Sequence, residues 1–144
     1  MVCVGATTAL SDANAGGTWS SSNPAQATVG AATGIVTGVA IGTPNITYTM
    51  PTGCFAVQNI TVNPTPASVT GPTVVCAGSN ITLSDATSGG VWSSGNTSIA
   101  TVGAGTGVVT GVASGVVTIT YSLGAGCYAT AVVTVNPVPD ISNY

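Results

Sequence analysis

Apolar and polar residues alternate with a period of two in several short runs. Val117, Ile119 and Tyr121 are separated by Thr118 and Thr120, and Ile81 and Leu83 by Thr82. Such alternation predicts strands with one face turned to a core. After Leu123-Gly124-Ala125-Gly126 the chain returns through Cys127 to Val133 and Val135, so a hairpin is expected there. Ile46 and Tyr48, a Pro51-Thr52-Gly53 turn, and Ile60 and Val62 predict another. Shorter strands are expected around Thr8 to Ser11, at Ala27–Val29 and at Ile35–Val39, the last two joined through Thr33-Gly34. Trp19 and Trp92 each follow a Gly-Gly turn and are expected as core anchors. A role as ligand-stacking platforms is the weaker reading, because a sandwich tryptophan is ordinarily buried.

The pattern occurs twice. Gly89-Gly90-Val91-Trp92-Ser93-Ser94, Ala100-Thr101-Val102-Gly103 and Gly107-Val108-Val109-Thr110-Gly111-Val112-Ala113 have counterparts in Gly16–Ser21, Ala27–Gly30 and Gly34–Ala40. The tryptophans (92 − 19) and the cysteines (76 − 3 and 127 − 54) all give an offset of 73, and Asn63-Pro64 and Asn136-Pro137 keep it. A constant, gapless offset means one supersecondary design used in tandem. The expected division is residues 1–64, residues 65–137 and a tail, 138–144. Each repeat offers about seven short strands between frequent turns, the profile of an immunoglobulin-like sandwich. The fold class expected is therefore all-β, two tandem immunoglobulin-like β-sandwiches.

Composition narrows what such a chain can do. Two units of about 70 residues each stand near the lower size for a self-sufficient core, and 44% of the 144 residues are apolar. There is no Lys, Arg or His, and the acids are Asp12, Asp85 and Asp140. Neutralising phosphate needs cations, so neither nucleic-acid binding nor a polybasic membrane contact is expected. General acid–base chemistry needs a titratable pair of tuned groups. Asp12 and Asp85 occupy equivalent places in separate repeats and read as turn residues, so no enzyme is expected. A Lys–Asn isopeptide cross-link is excluded by the missing lysine. No His and no CxxC spacing support a metal, and no cofactor is expected. No run approaches the ~18 apolar residues of a membrane helix, so membrane insertion is not expected. No secretory signal follows Met1, which stands at the place of Val74 in mid-pattern; the chain reads as a segment of something longer. Outward threonines do not sustain the regular stripes of an ice-like array and reflect β-propensity.

The order Leu83, Trp92-Ser93-Ser94 with Asn96, Ala100-Thr101-Val102, Gly107 to Ala113, Gly115, Ile119-Thr120-Tyr121 and Thr134-Val135-Asn136-Pro137 resembles the bacterial immunoglobulin-like group 2 repeat. The first repeat matches from Leu10 to Pro64. The cysteine-bearing opening is similar to repeats of long secreted or surface proteins of Bacteroidetes-type bacteria. The resemblance implies an extracellular or cell-surface location in bacteria, in stalks, adhesin arms or fibres, and supplies no catalytic residue. The reading is a structural stalk or filament subunit. An adhesin gripping carbohydrate or protein through sandwich-end loops is the alternative, and an accessory domain of a secreted enzyme a weaker third. A binder would carry one elaborated loop, whereas the two repeats match without insertions.

Three sets of residues carry the chemistry. Sequons stand at Asn45, Asn59, Asn80 and Asn96; a Ser- and Thr-rich chain makes some by chance, but the first three flank Ile46, Ile60 and Ile81, so inward isoleucines would turn them to solvent. Covalent glycans there would help to keep a nearly uncharged surface soluble. Four cysteines without charge or His around them suggest an oxidising location and two disulfides. Pairing within a repeat, Cys3 with Cys54 and Cys76 with Cys127, is the default. The rival joins Cys3 to Cys127, and Cys76 to Cys54 of a following molecule, because a strand end and a hairpin tip lie too far apart for a bond that needs Cα atoms within about 7 Å. Both pairings stay open. Finally, Thr65 to Pro72 should supply the first edge strand of repeat 2, and repeat 1 shows no such segment. The tail with Asp140, Ile141, Ser142, Asn143 and Tyr144 matches Thr65 to Gly71 at the same offset. A head-to-tail homopolymer is expected, this tail entering the next copy as a strand with Ile141 buried.

Overall fold

The computed structural model describes residues 1–141, which form strands and turns with no helix. The chain divides into two compact units: unit 1 is Met1–Thr65 with Ala125–Cys127, and unit 2 is Pro66–Gly124 with Tyr128–Tyr144. The division falls at Thr65/Pro66, and the tip of the second hairpin counts with unit 1.

In unit 1 the strands are β1 (Val2–Cys3), β2 (Thr7–Ala9), β3 (Thr18–Ser21), β4 (Ala27–Val29), β5 (Ile35–Gly38), β6 (Asn45–Thr49), β7 (Phe55–Asn59) and β8 (Val62–Asn63). One antiparallel sheet has the order β2-β5-β4 and the other β3-β6-β7, while β1 pairs parallel with β8. The strands that follow are β9 (Val74–Cys76), β10 (Asn80–Thr82), β11 (Val91–Ser94), β12 (Ala100–Val102), β13 (Val108–Gly111), β14 (Gly115–Gly124) and β15 (Cys127–Asn136). Unit 2 has the sheets β10-β13-β12 and β11-β14-β15-β9, with β9 parallel to β15. Each unit is an immunoglobulin-like β-sandwich, and the chain is all-β.

The alternating positions form the cores. Val2, Ala27, Val36, Ile46, Ile60 and Val62 are buried together in unit 1. In unit 2, Val75, Leu83, Trp92, Ala100, Val109, Val117, Ile119, Tyr121, Val133 and Val135 form the cluster. The motifs repeat because each position has a local task. Ser21 and Ser94 Oγ donate to the carbonyls of Ala27 and Ala100 (2.6 Å each), tying β3 to β4 and β11 to β12. Asn23 and Asn96 Oδ1 accept from the amides of Ala25 and Ser98, closing Asx turns. Gly16 and Gly89 turn with φ of 93° and 92°, where an L side chain is strained. A Cβ on Gly17 or Gly90 would strike the ring of Tyr48 or Tyr121.

The repeats differ where proline intervenes. Strand β14 runs from Gly115 to Gly124, whereas its counterpart β6 spans only Asn45–Thr49. Pro44 stands at the place of Val117 and Pro51 at that of Gly124. A proline has no N–H for the ladder, so β6 stops inside those limits. The register pairs Asn45 with Asn59, which sets Pro44 opposite Ile60, and there the return strand breaks into β7 and β8 where β15 is continuous.

Candidate functional site

The tryptophans and tyrosines build equivalent platforms. Trp19 pairs with Tyr48 across β3 and β6, and Trp92 with Tyr121 across β11 and β14. Their ring centroids are 4.6 Å and 4.7 Å apart. Tyr121 Oη donates to the Thr87 carbonyl and accepts from the Gly90 amide (2.9 Å). Tyr48 Oη does the same with the Asn14 carbonyl and the Gly17 amide, each at 2.8 Å. These polar tips are satisfied, so both rings anchor loop to core.

In unit 2 this platform is covered. Pro66 is buried, and Val69 packs against the cluster that holds Leu83, Trp92 and Tyr121. The Ala67 amide donates to Asp85 Oδ1 (3.2 Å) and Thr87 Oγ1 (3.0 Å). Thr70 and Ser84 exchange both backbone hydrogen bonds, at 2.8 and 2.9 Å. Pro66–Thr70 thus lies along Leu83–Asp85 as an edge segment with one antiparallel bridge, Thr70 to Ser84, held by that backbone pairing and one apolar plug. Asp85 is a turn residue, its Oδ1 also taking the Thr87 amide at 2.7 Å.

In unit 1 the equivalent residues line an open groove of about 170 Å³, formed by Leu10, Ser11, Asp12, Trp19, Tyr48 and Gln58 among others. Among the described residues no segment lies over it. Leu10 and Trp19 are half-buried where Leu83 and Trp92 are 2% and 7% exposed. Ala56 and Gln58 are exposed where Ala129 and Ala131 are half-buried. Asp12 Oδ1 is occupied by Asn14 alone, through its amide and Nδ2. A second cavity shares Asp12, Tyr48 and Ala56 with the groove and adds Asn14, Met50, Cys54 and Phe55. Trp92 is buried within its core, whereas Trp19 is half-buried and walls the groove. No sequence pattern marks Gln58 or Ala56 as groove residues; their exposure follows from the uncovered face.

Cys3 forms a disulfide with Cys127, the Cα atoms 5.6 Å apart. The default pairing inside each repeat is not made. Cys3 ends β1 beside Asn63, and Cys127 opens β15 after the Gly124–Gly126 turn. Cys54 and Cys76 are exposed free thiols. The four sequon asparagines are exposed, while Ile46 and Ile60 are buried and Ile81 half-buried. Asn59 Nδ2 is engaged, donating to the Thr43 carbonyl (3.1 Å) and Asn45 Oδ1 (3.0 Å). In the tail, Asp140 is exposed and Ile141 is 93% exposed; Ser142, Asn143 and Tyr144 lie outside the described residues. Among the described residues no group of three His, Cys, Asp or Glu side chains is placed to hold a metal ion.

Several solved structures resemble the chain. The C-terminal 282-residue fragment of intimin, in complex with the intimin-binding domain of the translocated intimin receptor, is 19% identical, with 83% of this chain and 51% of that chain covered and a TM-score of 0.56. That likeness is one of fold. Domains 4 and 5 of the S-layer protein SbsC are 26% identical, covering 87% of this chain and 72% of that one, with a TM-score of 0.37. Domains 1–6 of the same surface-layer protein are 25% identical over 89% of this chain and 21% of that one, again with a TM-score of 0.37. The chain spans about a fifth of that larger structure's length. No curated protein matches the chain. The bacterial Ig-like domain (group 2) family matches residues 3–55 and again 56–134. With the family's pattern met twice over most of its length, the chain belongs to the bacterial Ig-like domain (group 2) family.

Proposed function

We propose that the chain is a structural module of an extracellular, surface-exposed bacterial assembly that lengthens head to tail by strand complementation. The tail Val138–Tyr144 of one copy enters the unit 1 groove of the next. The observation that carries this reading is the contrast between the two grooves: Pro66–Thr70 fills one, and residues 138–141 of the tail, which matches that segment at the 73-residue offset, stand exposed. Pro139 falls at the place of buried Pro66. At strict offset Ser142 takes the place of Val69. A slip of one residue puts Ile141 in the place of Val69, against Leu10 and Trp19, and gives up the match of Pro139 to Pro66. Burying that isoleucine is worth roughly 2 kcal/mol, so the apolar seat selects the shifted register. A heterologous contact of this kind does not close on itself and builds a linear array. The disulfide supports an oxidising location. The matched loops of the two repeats give no observation in favour of the adhesin reading.

Trp19 lines the groove and is its own reporter. In the Trp92→Phe variant it is the sole tryptophan. A synthetic peptide of sequence Val138–Tyr144 should shift its emission to the blue, saturably, and the same peptide with Ile141→Asp should not. A chain that stays monodisperse, with Trp19 emission unmoved by the wild-type peptide, would overturn the reading. Equal response to both peptides would overturn the seat of Ile141. Native material in which one longer polypeptide supplies the strand ahead of Met1 would show a single chain of greater mass under denaturing, reducing conditions, and would replace the inter-copy contact by a covalent one.

A further inference from the structure

Two thiols have no role in either unit. Cys54 opens towards the cavity that shares Asp12, Tyr48 and Ala56 with the groove, and Cys76 ends β9 on the surface. Their counterparts at the 73-residue offset, Cys127 and Cys3, are bonded to each other. The bond joins the opening strand of one sequence period to the hairpin tip of the next period.

The strand registers explain how that partner is reached. Cys3 pairs with Asn63, two residues before Thr65, and the chain then continues into Pro66–Thr70, the segment that fills the unit 2 groove. Cys76 pairs with Asn136, two residues before Val138, and the chain then continues into the tail. Each opening cysteine is thus held beside the root of a docking segment. Where the segment docks in the following period, the cysteine meets that period's hairpin tip.

We infer that Cys76 of one copy forms a disulfide with Cys54 of the next, locking the docked strand covalently. The inference rests on the strand-complementation reading above. The chemistry balances as a thiol–disulfide exchange: both thiols are oxidised, their protons and two electrons pass to a small disulfide oxidant, and that oxidant leaves as two thiols while one Cys76–Cys54 bond forms. Docking supplies the encounter, because tethering by the strand converts a bimolecular collision into a local one at millimolar effective concentration. Cys54 and Cys76 are both exposed, so replacing them by serine leaves the folded units intact.

The test is assembly of the full chain with glutathione disulfide as oxidant, followed by non-reducing denaturing electrophoresis and peptide mapping with chymotrypsin. The expected result is a ladder of multiples of one chain that collapses on reduction, a linked Cys54–Cys76 peptide pair, and free thiol falling from two per chain towards none as the arrays lengthen. Cys54→Ser and Cys76→Ser should each abolish the ladder while leaving arrays visible under native conditions. Ile141→Asp should abolish both. Arrays that dissociate without reductant and keep both thiols open to alkylation overturn the covalent lock and leave strand docking standing. A ladder of equal extent from Ile141→Asp overturns strand docking as its cause. Chains that stay monomeric with two free thiols overturn both.

Discussion

Unit 1 and unit 2 place the same anchors on equivalent strands, yet one platform is roofed and the other open. Val69 packs against the cluster that holds Leu83, Trp92 and Tyr121, and Asp85 and Ser84 hold the backbone of the same segment. Leu10, Trp19 and Tyr48 wall a groove instead. The anchors beneath are alike, although β6 and the broken β7–β8 are shorter than β14 and β15, so the difference shows chiefly what an edge segment contributes to an immunoglobulin-like sandwich. It seals the end of the core and pairs with the sheet edge.

The largest expected difference is at the tryptophans. Trp92→Ala should destabilise unit 2 by about 4 kcal/mol, as for a buried aromatic truncated to alanine. Trp19→Ala should cost unit 1 about half of that, because part of the ring already faces water. Hydrogen exchange at Ile119 and Ile46, each deep in its own core, reads the two units separately. Equal losses would break the comparison.

A middle-sized effect should follow from making unit 2 resemble unit 1. Val69→Asp sets a carboxylate against Leu83 and Trp92, and should detach Pro66–Thr70 at a cost of roughly 2 kcal/mol. In a Trp19→Phe background the emission of Trp92 should then move to the red, towards that of Trp19 in the parent chain. Unchanged emission would mean that Val69 is not what covers the ring.

The smallest effect belongs to the aspartates. Asp85→Ala strips acceptors from the Thr87 and Ala67 amides and should cost about 1–2 kcal/mol. Asp12→Ala loses only an exposed turn contact and should stay within about 0.5 kcal/mol. Chemical denaturation of the single-chain form separates the two.

Much of this was legible in the residues. The alternation of Val117, Ile119 and Tyr121 sets one face inward, and the 73-residue offset carries the same pattern to Ile46 and Tyr48. The pairing of Cys3 with Cys127 was legible only as one of two alternatives, because the choice depends on the parallel registers of β1 with β8 and β9 with β15, and short parallel ladders leave no alternation of their own to read. The shortening of β6 was present in Pro44 and Pro51, but its effect on the opposing strand emerges only once Pro44 is known to face Ile60. The groove was foreshadowed by a missing counterpart to Thr65–Pro72; its walls at Ala56 and Gln58 were not, since nothing about an alanine or a glutamine marks it as uncovered.

The parallel pairing of β9 with β15 has a mechanical meaning. The chain enters unit 2's large sheet at Val74 and leaves it at Asn136, and these two strands lie side by side in register, Thr134 opposite Val74, Val135 opposite Val75 and Asn136 opposite Cys76. Pulling entry and exit apart drags these strands past each other along their length, so the bonds of the ladder bear the load together instead of parting one after another. In single-molecule stretching such a shear clamp should yield at higher force than an antiparallel pair of the same length opened from its end. A low, stepwise rupture would contradict it. Met again in the parallel pair of β1 with β8, the clamp makes tension between entry and exit the direction in which each unit resists best.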